Sequence, residues 1–427
     1  MSSPAVPPAR DALEAPDVVR LRRRTIALLS AAQVLSGLAA GSVVSVGSLM
    51  AVKLAGSNAW AGSVTTASTL GAAVSALMLA RLAASRGRRV SLVTGLALAS
   101  AGAIAIVVSS VVSSFALLLA GGALMGVGNA ANLQARFAAT DLSGAHTRAK
   151  DLALVVWMAT VGSVTGPNLI RLGVPMHALT GLPELAGIFA IAATGMVAAM
   201  AVIWVGMRPD PLLAGRRIRG DELGQTRKHV PISIAYGILR RHPRALAALM
   251  GILIAHAVMV AVMSMTPVHM SGHGASVTLV GLTVSLHIAG MYALSPVMGW
   301  LADTYGAVPV LVGGLGVVAV SAVFTGVSGA STMVVTIGLI LLGLGWSAAT
   351  VAGSSIVAAT VTGDERVSVQ GLSDALMSLA GAGGGALAGV ALATVGYPGL
   401  SLAGGLLAVA GIASFRLVSR ARVAPGA

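Results

Sequence analysis

The sequence predicts an all-α membrane protein of twelve transmembrane helices in two pseudo-symmetric six-helix bundles. Three observations predict it. The 427-residue chain is 56% hydrophobic and 9% charged, with a mean hydropathy of +0.91, a composition foreign to soluble domains. Its apolar residues gather in runs of roughly 20, the length that crosses a bilayer. Its Lys and Arg residues gather in the short segments between alternate runs, the pattern that fixes orientation. That pattern accounts for the net charge of +14, so no nucleic-acid partner is expected. The 54 glycines lie mostly inside apolar runs, where they let helices approach closely. No cysteine is present, which excludes disulfides and thiolate metal ligands.

Taken in order, residues 1–24 are polar, Pro-rich and then basic, and read as a disordered cytoplasmic leader. No cleavage site follows the first apolar run, so that run is expected to be retained as a helix. Spans at 25–51, 58–80, 90–110, 115–137, 152–170 and 185–207 form an N-terminal bundle over 25–207. Residues 208–244 form a basic cytoplasmic linker, in which Pro231 precedes an amphipathic piece ending in Arg240, Arg241 and Arg244. Spans at 245–267, 276–298, 308–328, 332–353, 369–393 and 399–418 form a C-terminal bundle over 245–420, followed by a short cytoplasmic tail, 421–427. With both termini inside, only Lys53 and Arg171 of the 27 basic residues fall on the outer side. A multi-pass protein of a bacterial-type inner membrane with cytoplasmic termini, in contact with lipid and monomeric, is therefore expected. Two bundles joined by a charged linker suit a carrier that alternates between two open states.

The turns after the second and eighth spans occupy equivalent places in the two halves. They read LARLAASRGRR and GWLADTYGAV. Together they resemble the GxLxDRxGRR signature of the major facilitator superfamily. The first keeps Gly87, Arg88 and Arg89 but has Ala80 and Ala84 at the Gly and Asp places; the second keeps Gly299, Asp303 and Gly306 but lacks the basic residues. The resemblance covers roughly residues 25–420. It implies a secondary transporter working by alternating access, with these turn residues acting in gating.

The densest chemistry lies between Met250 and Met291. Five methionines fall within 250–270, where overall Met content predicts about one. Met259 and Met263 are four apart, as are His287 and Met291, so each pair shares a helical face. His256, three before Met259, joins the first face. Both imidazoles are expected near the bilayer midplane, giving a ladder of Met263, Met259, His256 beside His287, and then Met291. Thioether and imidazole donors without carboxylate or thiolate select a soft cation, Cu(I) first. Several incomplete sites in series suit an ion that must also leave. His269, Met270 and His273, expected in an outer loop, offer a first point of capture. The spaced pair MxxxM and HxxxM resembles the CcoA-like copper importers of the superfamily, a branch with riboflavin importers among its relatives. The resemblance implies copper as transported substrate, with Met259, Met263, His287 and Met291 as ligands and His256 as an auxiliary one. No resident cofactor is expected.

Other readings remain open. VGSVTGPNLI in the fifth span carries Gly162, Gly166 and Pro167. This GxxxGP resembles the motif of proton-coupled drug exporters; physically it bends and seals the helix. Asp374 enters the eleventh span and serves either proton coupling in efflux of small amphipathic compounds or a pairing with Arg88 or Arg89 at the inner gate. Asp303 is expected to lock a conformation. Gln33, Asn129, Asn132 and Gln134 either line a cavity or join helices. Aromatics at 3% supply few stacking surfaces for large planar ligands such as riboflavin. No phosphate-binding loop, HExxH or catalytic carboxylate pair occurs, so no enzyme is expected.

Overall fold

A computed structural model describes residues 14–143, 148–219, 232–360 and 365–420. These residues are helical, with no strand among them. The elements are α1 (Pro16–Ala55), α2 (Ser63–Arg86), α3 (Arg88–Val111), α4 (Phe115–Ala138), α5 (Arg148–Thr165), α6 (Gly173–Thr180) and α7 (Glu184–Gly206). They continue with α8 (Pro211–Arg219), α9 (Ile232–Arg241), α10 (Pro243–Gly272), α11 (Val277–Tyr292), α12 (Ser295–Tyr305), α13 (Ala307–Gly326), α14 (Thr332–Thr360) and α15 (Glu365–Arg420). Among the described residues nine stretches are long and apolar enough to cross a membrane.

Where element ends differ from the expected spans, proline and glycine explain the difference. α1 begins at Pro16, inside the expected leader, because Pro suits a first helical turn and Asp17 complements its positive end. Residues 1–13 and 421–427 lie outside the described residues, as does 220–231 of the linker. The fifth span gives way after Thr165 to a 3₁₀ turn over Gly166–Leu172, since Pro167 cannot donate to the helical ladder. The eighth span is two helices. α11 stops at Tyr292, and α12 restarts with Pro296 in its first turn. The last two spans are arms of α15, broken at Gly396 (φ +71°) just before Pro398. The arms run side by side. A Cβ on Gly384 would lie 2.5 Å from the Ala257 carbonyl oxygen, and one on Gly404 2.8 Å from Val258.

The two halves repeat one backbone device. Gly87 (φ +90°, ψ 168°) separates α2 from α3, and Gly306 (φ +92°, ψ 145°) separates α12 from α13. Both positions need glycine because a Cβ is disfavoured at positive φ. The shared conformation matches the shared place of the two turns in the sequence.

Chain entry at Pro16 and exit at Arg420 define a terminal face; the α1–α2 and α10–α11 connections lie on the far face. There the halves touch. A Cβ on Gly62 would run into the Gly385 carbonyl oxygen, and Thr66 Oγ1 donates to the Ala382 carbonyl at 3.2 Å. The Ser285 hydroxyl on α11 donates to the Val164 carbonyl at 2.6 Å and accepts from Asn168 Nδ2 at 2.8 Å. The break at Pro167 places Val164 and Asn168 for this contact.

Candidate functional site

α14 gathers the expected ligands. Glycines let it press against α11: a Cβ on Gly343 would come 2.5 Å from the His287 carbonyl oxygen, and one on Gly290 3.0 Å from that of Ile340. On this face Thr283 shares a hydrogen bond with Thr336 at 2.8 Å, and His287 follows one turn later. α10 meets α14 on another side, through Ile252 against Gly353 and His256 bonded to Trp346. Met259 and Met263 extend that stripe, seven residues beyond Ile252 and His256. Met259, Met263 and Met291 are 2%, 6% and 5% exposed and share one buried cluster with Leu339, Leu342 and Trp346.

The two histidines hold opposite tautomers. His287 is fully buried, and its Nδ1 lies 2.7 Å from the Leu339 carbonyl oxygen. A carbonyl only accepts, so Nδ1 carries the proton and Nε2 keeps a lone pair. That Nε2 is buried without a partner. Such an orphan is costly in an apolar core, and a backbone-anchored imidazole with a free nitrogen is the usual form of a metal ligand. His256 differs. Its Nδ1 accepts from the Trp346 indole N–H at 2.9 Å. Trp only donates, so the His256 proton sits on Nε2 and no lone pair is free. His256 is a hydrogen-bond acceptor here, its lone pair taken up by Trp346, which corrects its expected place as an auxiliary ligand.

Depth is corrected too. His256 and His287 were expected side by side, yet their partners Trp346 and Leu339 are seven residues apart on α14, about 10 Å at the helical rise. α11 is only 16 residues long, so the centres of the sequence spans do not share a level. Met259 and Met263 lie beyond His256 toward the far face, and so approach the level of His287 and Met291. Among the described residues no three His, Cys, Asp or Glu side chains converge.

The remaining expected residues fall elsewhere. Met270 and His269 are in α10, which runs through Pro267 to Gly272, and not in a loop. Met270 is 2% exposed and packs on Val280 and Val335, so its sulfur does not face outward for capture. Gly162 and Gly166 bring α5 against α1, where a Cβ on either would strike the Val34 or Leu38 carbonyl oxygen. Gly299 faces open space, and Asp303 is exposed. Gln33, Asn132, Asn129 and Gln134 join helices. Gln33 donates to the Asn132 carbonyl, Asn129 to Ser68, and Gln134 to the Ala76 carbonyl.

Asp374 pairs with neither Arg88 nor Arg89. Arg88 reaches Asp141 at 2.9 Å. The Arg89 backbone N–H donates to Asp210 at 2.7 Å, and its guanidinium lies 4.0 Å over the Trp204 ring. Asp374 meets Arg136 instead, at 3.1 Å, an ion pair joining the two halves. Both side chains are partly exposed, so the pair adds little to the stability of the fold. Exchanging the charges, Arg136→Asp with Asp374→Arg, is expected to restore transport lost in either single variant; uptake assays on the three variants check this.

Sequence reasoning missed Trp346, Asp210, Asn168 and Ser285. Trp346 carried one signal, an indole donor within an apolar span of small residues, GLGWSAA. The others are ordinary polar residues whose partners lie far away in sequence.

The family model of the Major Facilitator Superfamily matches residues 29–276 and 262–426. Two uncharacterized MFS-type transporters of Bacillus subtilis (strain 168) are similar over 391 residues. YdeG is 34% identical, covering 91% of this chain and 90% of the relative; YddS is 32% identical, covering 91% and 89%. The riboflavin transporter RfnT of Brucella anthropi is 28% identical over 358 residues, covering 83% of this chain and 85% of RfnT. Among solved structures, the nucleoside transporter NupG superposes with a TM-score of 0.74 at 14% identity, covering 92% of this chain and 99% of NupG. A bacterial homolog of the human lysosomal transporter Spinster, in an inward-facing and unoccupied conformation, gives 0.72 at 17% identity, covering 94% and 97%. With this family match, these relatives and this all-helical fold, the chain belongs to the major facilitator superfamily of membrane transporters.

Proposed function

We propose that the protein imports copper by alternating access, across twelve membrane crossings with both termini in the cytoplasm. The observation that carries this reading is the buried, unpartnered Nε2 of His287, whose ring is anchored on Leu339; Met259, Met263 and Met291 share one buried cluster with Leu339 and Leu342. One imidazole and several thioethers, in a site without carboxylate, form a donor set for Cu(I). A monovalent ion held by weak neutral ligands can also leave them, as transport requires. Radiocopper uptake into cells tests the reading. Expression of the protein is expected to raise uptake, and Met259→Ala combined with His287→Ala to return it to background. Uptake unchanged in the double variant defeats the proposal.

A second reading, riboflavin import, is favoured by the similarity to RfnT. Growth of a riboflavin-requiring strain on limiting riboflavin distinguishes the two: copper import predicts no rescue. Efflux through Asp374 predicts protection against a compound panel, lost in Asp374→Asn; copper import predicts a flat panel.

A further inference from the structure

The far end of α10 carries two imidazoles that the proposed cargo site does not use. His269 Nε2 lies 3.0 Å from the Gly329 carbonyl oxygen, and His273 Nδ1 lies 2.8 Å from the His269 carbonyl oxygen. Both partners are acceptors only, so both contacted nitrogens carry protons. The opposite nitrogens, Nδ1 of His269 and Nε2 of His273, therefore hold lone pairs. The rings are one helical turn apart, with centroids 4.4 Å from each other and planes 53° apart, the i, i+4 spacing that puts two side chains on one helical face.

The surroundings fix the pair. The His269 ring stacks on Tyr397 at 4.2 Å with planes 13° apart. Tyr397 is buried, its hydroxyl 2.9 Å from Thr266 Oγ1. His269 is thus held between the α13–α14 connection and the bend of α15, while His273 stays exposed. Imidazoles whose other N–H is anchored on a carbonyl are oriented for metal binding. The C-terminus of α10 lies here, and the negative end of a helix favours a cation.

We propose that His269 and His273 form a second metal site, a two-imidazole chelate on the far face that takes a borderline divalent cation such as Zn²⁺, Cu²⁺ or Ni²⁺. Water completes the coordination shell. The buried Met270 sulfur adds nothing, so the site lacks the soft donors of the His287 region and differs from it in preferred ion. This inference does not rest on copper import, because binding is read without transport.

The test uses the purified full-length protein in detergent, without a polyhistidine tag, titrated with Zn²⁺ by calorimetry and followed by thermal unfolding. One equivalent of Zn²⁺ is expected to bind and raise the unfolding temperature. His273→Ala, an exposed change that spares the fold, is expected to weaken binding about tenfold or more, as is His269→Gln. His287→Asn is expected to bind Zn²⁺ as the parent does. Cu²⁺ bound at the site is expected to show two equatorial nitrogens by electron paramagnetic resonance. No saturable Zn²⁺ binding, or binding unchanged in both His269→Gln and His273→Ala, overturns the site. A radiocopper failure with Zn²⁺ binding intact would remove the cargo reading and leave this one standing.

Discussion

Replacing His287 by asparagine is expected to reduce copper uptake about 100-fold while leaving the protein folded. The reason lies in the two ring nitrogens. An asparagine amide N–H takes the place of Nδ1–H and can still donate to the Leu339 carbonyl, which His287 meets at 2.7 Å. The contact between α11 and α14 at Gly290 and Gly343 is then kept. The lone pair that Nε2 holds in the core, without any protein partner, disappears. A structural histidine would tolerate this exchange, because the anchoring bond to the Leu339 carbonyl is kept. A ligand would not. Uptake of radiocopper by His287→Asn, normalised to protein level and compared at equal thermal stability, separates the two. Trp346→Phe serves as the counterpart. It frees the His256 Nδ1 lone pair without touching His287, so uptake is expected to change far less.

The second large effect is expected from Gly62→Val. In this structure the far face is closed by backbone against backbone, and any Cβ at Gly62 would overlap the Gly385 carbonyl oxygen. Closure is then impossible without moving α15 away from α2. Substitution is expected to hold the far face open, break the Thr66–Ala382 and Ser285–Val164 hydrogen bonds, and lower transport about tenfold or more by depopulating one of the two states. The natural absence of cysteine gives a clean reporter. A cysteine at Ser285, 2% exposed in the closed form, is expected to react slowly with a maleimide in the parent and rapidly with Gly62→Val. Equal reaction rates would show that this contact does not control access to the far face.

Much of the architecture was legible in the sequence because bilayer length and basic clusters act locally. The apolar runs predicted where helices form, and the equivalent turns at Gly87 and Gly306 adopt the same backbone conformation. The GxxxGP motif was read as a bend that seals a helix, and Gly162 and Gly166 do lie against α1. Boundaries were less legible where helical hydrogen bonding persists into polar sequence, as at Pro16, or where proline ends a ladder inside an apolar run, as between Tyr292 and Pro296.

The candidate site was legible in one dimension only. Periodicity shows that Met259 and Met263 share a face, and that His287 and Met291 share another. It does not show which neighbour each face meets. Both turn out to meet α14, whose part had no sequence signal beyond Trp346. Relative depth escaped as well, since it depends on how α10 and α11 are offset, and so His256 stands about two turns from His287 instead of beside it. Tautomers are set by partners distant in sequence, Leu339 for one histidine and Trp346 for the other. Spacing therefore marked two equivalent imidazoles where the fold leaves a lone pair free on His287 and takes up the one on His256. The Arg136–Asp374 pair was missed for the same reason, since the two residues lie on different halves.

X-ray absorption at the copper edge tests the central claim most directly. The sample is the purified protein loaded with one equivalent of Cu(I) in a His273→Ala background, which removes the surface chelate. Two or more sulfur scatterers with one imidazole nitrogen are expected in the inner shell, the sulfur signal falling in Met259→Ala and the nitrogen signal vanishing in His287→Asn. A shell of nitrogen and oxygen alone, or a spectrum indifferent to both substitutions, would contradict the account.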